Sequence, residues 1–139
     1  GIKDDEPYEV FLTKNNELLD VEKCKQGSVV KIGKGNYKLI MNNGTVIDDF
    51  TKLLDDDYAI MCRHFSLELR HGIDLRFIVD QLNKTRRFNT FSKAMVQVLK
   101  KYIKDNEEVL TEGNCPECDG KLVYKEGCVT CCGCGYSKC

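Results

Sequence analysis

The chain has 139 residues, 42% of them hydrophobic and 31% charged, which is an ordinary composition for a soluble globular protein. Its formal net charge of -1 argues against a dedicated polyanion-binding protein. No apolar run approaches the roughly 20 residues of a membrane span and no signal-peptide pattern is present, so no membrane association is expected.

The nine cysteines bear on the cellular compartment. Their number is odd and seven of them lie in the last 25 residues, which fits a reducing compartment better than a secreted disulfide scaffold. We therefore expect a cytoplasmic protein. The chain opens at Gly1 directly in strand-like sequence, as if it were cut from something longer.

The first third of the chain has the pattern of a small antiparallel sheet. Alternating strand-forming residues predict four short strands, at residues 8–13, 28–32, 36–41 and 45–47. Turn-forming sequences separate them, at residues 14–16, 33–35 and 42–44.

Three helices are predicted after residue 54. The first begins at the acidic residues 55–57 and ends at Gly72, and its dense apolar residues predict a largely buried helix. Asp74 is the predicted N-cap of the second helix. Thr90 is the predicted N-cap of the third, which runs from about Phe91 with apolar residues at three- and four-residue steps.

The fold class expected from these elements is α+β, a small antiparallel sheet with about three helices followed by a zinc ribbon. Residues 1–104 form the predicted α+β domain, 105–114 a polar linker and 115–139 the ribbon with a redox-active cysteine tail. His64 and His71 lack a nearby acid cluster or metal ligand, so no catalytic role is predicted for them. Cys24 and Cys62 are predicted to be buried as small apolar residues.

Two Cys-x-x-Cys pairs, Cys115/Cys118 and Cys131/Cys134, stand twelve residues apart. Each pair can point two thiolates at one centre, and two pairs complete a tetrahedral shell of four sulfurs around structural zinc. Four thiolates also suit iron, but the paired spacing favours zinc. A module of this size cannot bury a core, so the metal would supply the folding free energy, of order 10 kcal/mol or more.

Cys128, Cys132 and Cys139 remain outside this pattern. One interpretation is a dithiol relay, in which one thiolate attacks a distant disulfide and a second resolves the mixed disulfide. The other is a redundant metal ligand set, in which Cys128 or Cys132 replaces Cys131.

The motifs EGCVTCxxCGYSKC and CPECxGKLVY resemble the C-terminal end of adenosylcobalamin-dependent (class II) ribonucleotide reductases. The segment EPYEVFLT looks like the strand that opens the TSCPD-type region of those enzymes. The segments RHFSLELRHGIDLRFIVDQLNKT and FNTFSKAMVQVLKKYI resemble its helices. The likeness covers nearly the whole chain.

The resemblance implies the C-terminal part of a vitamin B12-dependent ribonucleoside-diphosphate reductase, not catalytic alone. The catalytic barrel, with its cobalamin site, has no counterpart in this sequence, so adenosylcobalamin is expected only in the complete enzyme. The implied partners are that barrel, in the same chain or a separate subunit, and a thioredoxin-like dithiol donor. In such enzymes a C-terminal cysteine pair reduces the active-site disulfide and is recharged by the donor.

The resemblance also implies roles for individual cysteines. The four that match the zinc knuckles are Cys115, Cys118, Cys131 and Cys134. Cys139 matches the terminal thiol and Cys128 the cysteine of EGCVTC, whereas Cys132 departs from the family pattern and is a third candidate for the thiol relay. The spacing of Cys134 and Cys139 also matches the terminal redox pair of class I relatives, which leaves a redox role for Cys134 open.

Two other functions compete with this one. A nucleic-acid-binding or regulatory zinc ribbon is the main alternative, but from Asn114 onward three lysines face three acids, without the surplus that phosphate binding needs. A free-standing thiol oxidoreductase would show a thioredoxin-like βαβ pattern around a Cys-x-x-Cys pair, and the sequence lacks one.

Overall fold

The computed structural model describes residues 1–13, 26–84, 90–110 and 113–139. Within these ranges the chain has three α-helices and three small antiparallel sheets, which confirms the predicted α+β class. The helices are α1 (Asp56–Arg70), α2 (Leu75–Asn83) and α3 (Thr90–Leu99), with short 3-10 helices at Phe50–Leu53 and Lys100–Tyr102. The strands are β1 (Ile2–Lys3), β2 (Glu6–Pro7), β3 (Gly27–Gly33), β4 (Asn36–Met41), β5 (Val46–Ile47), β6 (Leu122–Lys125), β7 (Cys128–Cys131) and β8 (Ser137–Lys138). In that part of the chain, none of the helices has the length and apolar character that crossing a membrane requires.

The central sheet has the order β3-β4-β5, and all its neighbours are antiparallel. It confirms three of the four predicted strands, the last of them shortened to two residues. Gly33 pairs with Asn36, so the two residues between them form the predicted hairpin connection. The turn-forming residues in the sequence therefore predict the position of this sheet correctly.

The strand predicted over residues 8–13 is wrong. This segment is extended but pairs with no strand among the described residues, and two of its amides instead bind side chains of helix α1. The amide of Val10 donates to Ser66 Oγ at 3.1 Å and the amide of Leu12 donates to Cys62 Sγ at 3.2 Å. The turn predicted at residues 14–16 lies outside the described residues.

Helix α1 begins where the sequence predicts. Asp55 caps it by accepting a hydrogen bond from the Asp57 amide at 3.2 Å. The prediction that α1 is largely buried is wrong, since Ile60 is 57% exposed and Leu67 50% exposed. Its buried residues form a narrow stripe, which comprises Cys62, Ser66 and Leu69. Apolar density therefore overestimated the burial of this helix.

Helices α2 and α3 pack on each other. Asp74 caps α2 as predicted, accepting from the Arg76 amide at 2.9 Å. Helix α3 is described from Thr90 onward, directly after residues that the structure does not describe, so the N-cap at Thr90 stays a prediction. The inward face of α3 carries Phe91, Met95 and Leu99, spaced four residues apart, and all three are buried.

One continuous core joins the helices to the cysteine module. Helix residues and ribbon residues belong to the same buried cluster, which includes Met95, Ile103, Val109, Leu122 and Tyr124. Part of the stretch predicted as a linker runs beside β6. Its amide–carbonyl bonds join Asn106 to Tyr124 at 2.8 Å, Tyr124 to Glu107 at 2.8 Å and Val109 to Leu122 at 3.1 Å. The division into domains stays a prediction, but residues 106–109 contact the ribbon directly.

Candidate metal centre and disulfide

Four cysteine sulfurs converge at one end of the β6–β7–β8 sheet. The Sγ atoms of Cys115, Cys118, Cys131 and Cys134 all lie within 4.8 Å of one another. Cys115 Sγ is 3.6 Å from Cys134 Sγ, and Cys118 Sγ is 3.5 Å from Cys131 Sγ. A tetrahedral zinc with bonds of about 2.3 Å needs sulfurs about 3.8 Å apart. The four residues therefore fit a closed four-thiolate metal site.

Backbone amides shape the two loops that present these sulfurs. The Glu117 amide donates to Cys115 Sγ at 3.5 Å, and the Gly133 amide donates to Cys131 Sγ at 3.3 Å. In both loops the donor is two residues after the first cysteine of the pair. Because amide donors stabilise a thiolate, both loops favour the charged ligand form.

Gly120 approaches the cluster so closely that a side chain would crowd two of its sulfurs. A Cβ atom at this position would lie 3.2 Å from both Cys118 Sγ and Cys131 Sγ. The Gly120 carbonyl also accepts from the Cys115 amide at 2.8 Å, which closes the first loop. A glycine at this position therefore lets the two loops come together.

The thiols of the cluster differ in how readily they lose a proton. Hydrogen bonds from the backbone amides of Cys134 and Gly133 lower the pKa of Cys131 to about 6. The Tyr136 amide lowers the pKa of Cys134, but desolvation and hydrogen bonding to Cys118 and the other thiols outweigh it and raise that pKa to about 12. One thiolate therefore forms readily, whereas four together need a cation.

A disulfide joins Cys128 to Cys139, with their Cα atoms 4.4 Å apart. Strands β7 and β8 pair Val129 with Lys138 and Thr130 with Ser137, and continuing this register places the two cysteines opposite each other. Cys139 is exposed and Cys128 half-buried. An incoming thiol therefore reaches the sulfur of Cys139 more readily.

Cys132 stands apart from both groups. It is free and exposed, and it is not among the four converging sulfurs. Its amide donates to the Lys121 carbonyl at 3.2 Å, which ties the second loop to the start of the hairpin. Of the three cysteines predicted for the thiol relay, the structure thus joins Cys128 and Cys139 and leaves Cys132 as a free thiol.

Lys100 belongs to the site, although the sequence did not point to it. Its ammonium donates to the carbonyl oxygen of Cys139, which lies 39 positions later. The sequence places Lys100 at the end of α3, where a lysine serves the helix dipole. No spacing pattern could reveal a contact that folding creates across that separation.

The structure describes three of the four other histidines and cysteines named from the sequence. His64 is exposed and lies 3.4 Å from a Glu68 carboxylate oxygen, one turn further along α1, and His71 caps the same helix. Cys62 is buried as predicted, and burial raises the pKa of its thiol. Cys24 lies outside the described residues.

Comparison with known proteins gives one family. The family model described as NrdJ homologue C-terminal domain matches residues 1–104. The match covers most of the chain and ends before the cysteine module. No curated protein and no solved structure matches the chain.

Proposed function

Because the chain belongs to the family of NrdJ homologue C-terminal domains, we propose that it serves a class II ribonucleotide reductase as a thiol carrier. It would be the C-terminal part of a vitamin B12-dependent ribonucleoside-diphosphate reductase. The disulfide between Cys128 and exposed Cys139 is the observation that carries the proposal. A disulfide that an incoming thiol can reach is what the oxidised form of a dithiol carrier requires.

The proposed exchange balances as two thiol–disulfide steps. In the reduced carrier, the Cys139 thiolate attacks the active-site disulfide, forms a mixed disulfide and releases one active-site thiolate, which takes up a proton. The Cys128 thiolate then attacks Cys139 Sγ, which forms the Cys128–Cys139 disulfide and releases the second active-site thiolate, which also takes up a proton. The exposure of Cys139 and partial burial of Cys128 support this order of roles.

The carrier disulfide is then reduced by an external dithiol through the same two exchange steps. A dithiol donor of the thioredoxin type attacks Cys139 Sγ and releases the Cys128 thiolate. The second donor thiol then resolves the mixed disulfide, so the donor leaves oxidised and the carrier reduced. A reducing compartment such as the cytoplasm would supply this donor.

The metal in this proposal is structural zinc, held by Cys115, Cys118, Cys131 and Cys134. A closed four-sulfur shell supplies folding free energy and leaves no coordination position for a substrate. The separations between the four sulfurs support this assignment. Adenosylcobalamin belongs to the catalytic barrel of the complete enzyme, and we assign no residue of this chain to it.

The proposal is tested on the full oxidised chain with thioredoxin, thioredoxin reductase and NADPH. We expect about one NADPH consumed per chain, since one disulfide takes up two electrons. Cys139→Ser and Cys128→Ser should consume none, whereas Cys132→Ser serves as the matched control and should behave like the parent chain. If Cys139→Ser consumed as much NADPH as the parent chain, the thiol-carrier proposal would be wrong.

Activity in the complete reductase gives the second test. Cys139→Ser should abolish nucleotide reduction driven by thioredoxin but leave reduction driven by dithiothreitol, because a small dithiol reaches the active site without a carrier. An unchanged thioredoxin-driven rate would show that Cys139 is not the shuttle.

A further inference from the structure

The outward face of helix α1 carries apolar side chains that the fold leaves in solvent. Ile60 and Leu67 are each at least half exposed, and they lie seven residues apart on one side of the helix. With exposed Met61 and His64 they border a shallow groove of about 490 Å³. Arg63 stands at the rim of this groove, where its aliphatic stem can pack while the guanidinium stays in water. The buried stripe of α1 lies on the opposite side, so the groove opens away from the core.

We propose that this face binds a second copy of the chain, with the two α1 helices packed antiparallel across a twofold axis near His64. In the helix, His64 lies midway between Ile60 and Leu67. An axis at this point brings Ile60 of each chain against the partner's Leu67, so the same apolar contact forms twice. A twofold interface requires a patch that is complementary to itself, and this stripe is one. The inference concerns assembly and does not depend on the thiol-carrier proposal.

The charges along the helix are also complementary to themselves. Asp56 and Asp57 lie in the first turn of α1, whereas Arg70 lies in the last turn and exposed His71 follows it. Asp56 and Arg70 are separated by about four turns, so they lie along the same edge of the helix. Antiparallel packing places the acidic start of each helix beside the basic end of the other. Parallel packing would bring like charges together instead, so the charges select the antiparallel arrangement.

Arg70 can bind a carboxylate of the second chain while it keeps its own partner. Its Nη2 donates to Glu9 Oε1 at 2.6 Å, and its side chain remains 36% exposed. A guanidinium has five N–H donors, so a second carboxylate can bind its free side. The guanidinium also lies over the Tyr8 ring, 5.3 Å from the ring centre. These contacts hold the cation in place before a second chain arrives, which lowers the entropy cost of association.

The size of the helix predicts a weak and reversible dimer. Helix α1 has 15 residues and is therefore about 22 Å long. A single pair of helices of this length buries less surface than the roughly 1,200–2,000 Å² of a stable interface. An unrelated partner would need no twofold symmetry in the apolar and charged residues of this face. The symmetric arrangement therefore favours a second copy of the chain.

Sedimentation equilibrium of the zinc-loaded full chain tests the proposal, from about 10 µM to about 1 mM protein, the range expected for a weak dimer. A reductant prevents disulfides between chains. We expect the average mass to rise from 15.9 kDa toward twice that value. A mass that stays at 15.9 kDa throughout would overturn self-association and leave another occupant for this face, such as the catalytic barrel.

A pair of glutamate variants locates the interface. Leu67→Glu should move association to roughly tenfold higher concentration, because a carboxylate would be buried in the apolar contact. Phe77→Glu is the matched control, since Phe77 is a similarly exposed apolar residue of helix α2. It should associate like the parent chain. Equal effects of the two variants would overturn the assignment to α1.

Cysteine cross-linking tests the position of the twofold axis. In a Cys132→Ser background, His64→Cys should form a covalent dimer on mild oxidation with glutathione disulfide, because a residue at the axis lies beside its own copy. Phe77→Cys, the control, should remain monomeric under the same conditions. Failure of His64→Cys to cross-link, or equally fast cross-linking of Phe77→Cys, would overturn the axis at His64.

Discussion

The carbonyl oxygen of Cys139 accepts a hydrogen bond from the ammonium of Lys100, at the end of the last helix. This contact joins the Cys128–Cys139 disulfide to the helical part of the protein. It adds to the disulfide and to the short β7–β8 pairing that hold the end of the chain in place, so a single lysine can shift the equilibrium between the disulfide and the two thiols.

We expect Lys100→Gln to make the Cys128–Cys139 disulfide easier to reduce. An exposed hydrogen bond of this type contributes about 0.5–1 kcal/mol, which is roughly a two- to fivefold change in the equilibrium constant. Equilibration against dithiothreitol redox buffers, read by thiol alkylation, measures it. Lys101→Gln removes the neighbouring charge and should leave the equilibrium constant unchanged. Equal effects of the two variants would mean that general charge is responsible.

Gly120→Ala should weaken metal binding. The added Cβ would lie 3.2 Å from two of the four sulfurs, which is tighter than ordinary contact, so the loops must separate. We expect roughly tenfold weaker zinc retention in competition with a chelator, or about 1.4 kcal/mol. Gly113→Ala is the matched control, because a Cβ there meets no atom within 4 Å. Identical chelator curves for both variants would contradict the close approach.

Leu122→Ala should destabilise the helices as well as the ribbon. Leu122 is buried in the cluster that contains Met95 and Leu99, so its truncation should cost about 2–5 kcal/mol of unfolding free energy. Urea unfolding followed by far-ultraviolet circular dichroism measures the helical part. Leu67→Ala, at a leucine that is 50% exposed, should change it by no more than about 0.5 kcal/mol. A helical transition unaffected by Leu122→Ala would show separate cores.

Asp74 predicts a pH dependence of stability. Its hydrogen bonds with the Arg76 side chain lower the pKa of the Asp74 carboxyl below its ordinary value of 3.8. The stabilisation is therefore fully present above about pH 4 and is lost as pH falls through the folded-state pKa. The difference in melting temperature between the parent chain and Asp74→Asn should shrink below pH 4. Arg76→Gln should reproduce the effect, and a difference independent of pH would exclude this pair as its cause.

Several features of this protein depend on residues close together in the chain, and the sequence alone predicts them. The caps at Asp55 and Asp74 form with amides two residues away. The hairpin between β3 and β4 needs only its own turn. The Cys-x-x-Cys pairs each fold as one tight loop, and their spacing predicted the four sulfurs that the structure brings together.

Tertiary structure decided the rest, because strand pairing and burial depend on which surfaces meet. Residues 8–13 have strand propensity, but the Ser66 and Cys62 side chains of α1 bind their amides in place of a strand. Apolar residues of α1 remain exposed because one stripe of the helix suffices to cover the core.

In the cysteine module, too, the sequence predicts some features and the tertiary structure decides the others. Its sequence determined which residues could hold a metal and left three thiols over. Only the antiparallel pairing of β7 with β8 placed Cys128 opposite Cys139, 11 positions apart, and left Cys132 on the outside of a loop. Only folding also brings Lys100 to Cys139, and residues 106–109 to β6. Packing decides such contacts between residues that are far apart in the chain, and they leave no local pattern in the sequence.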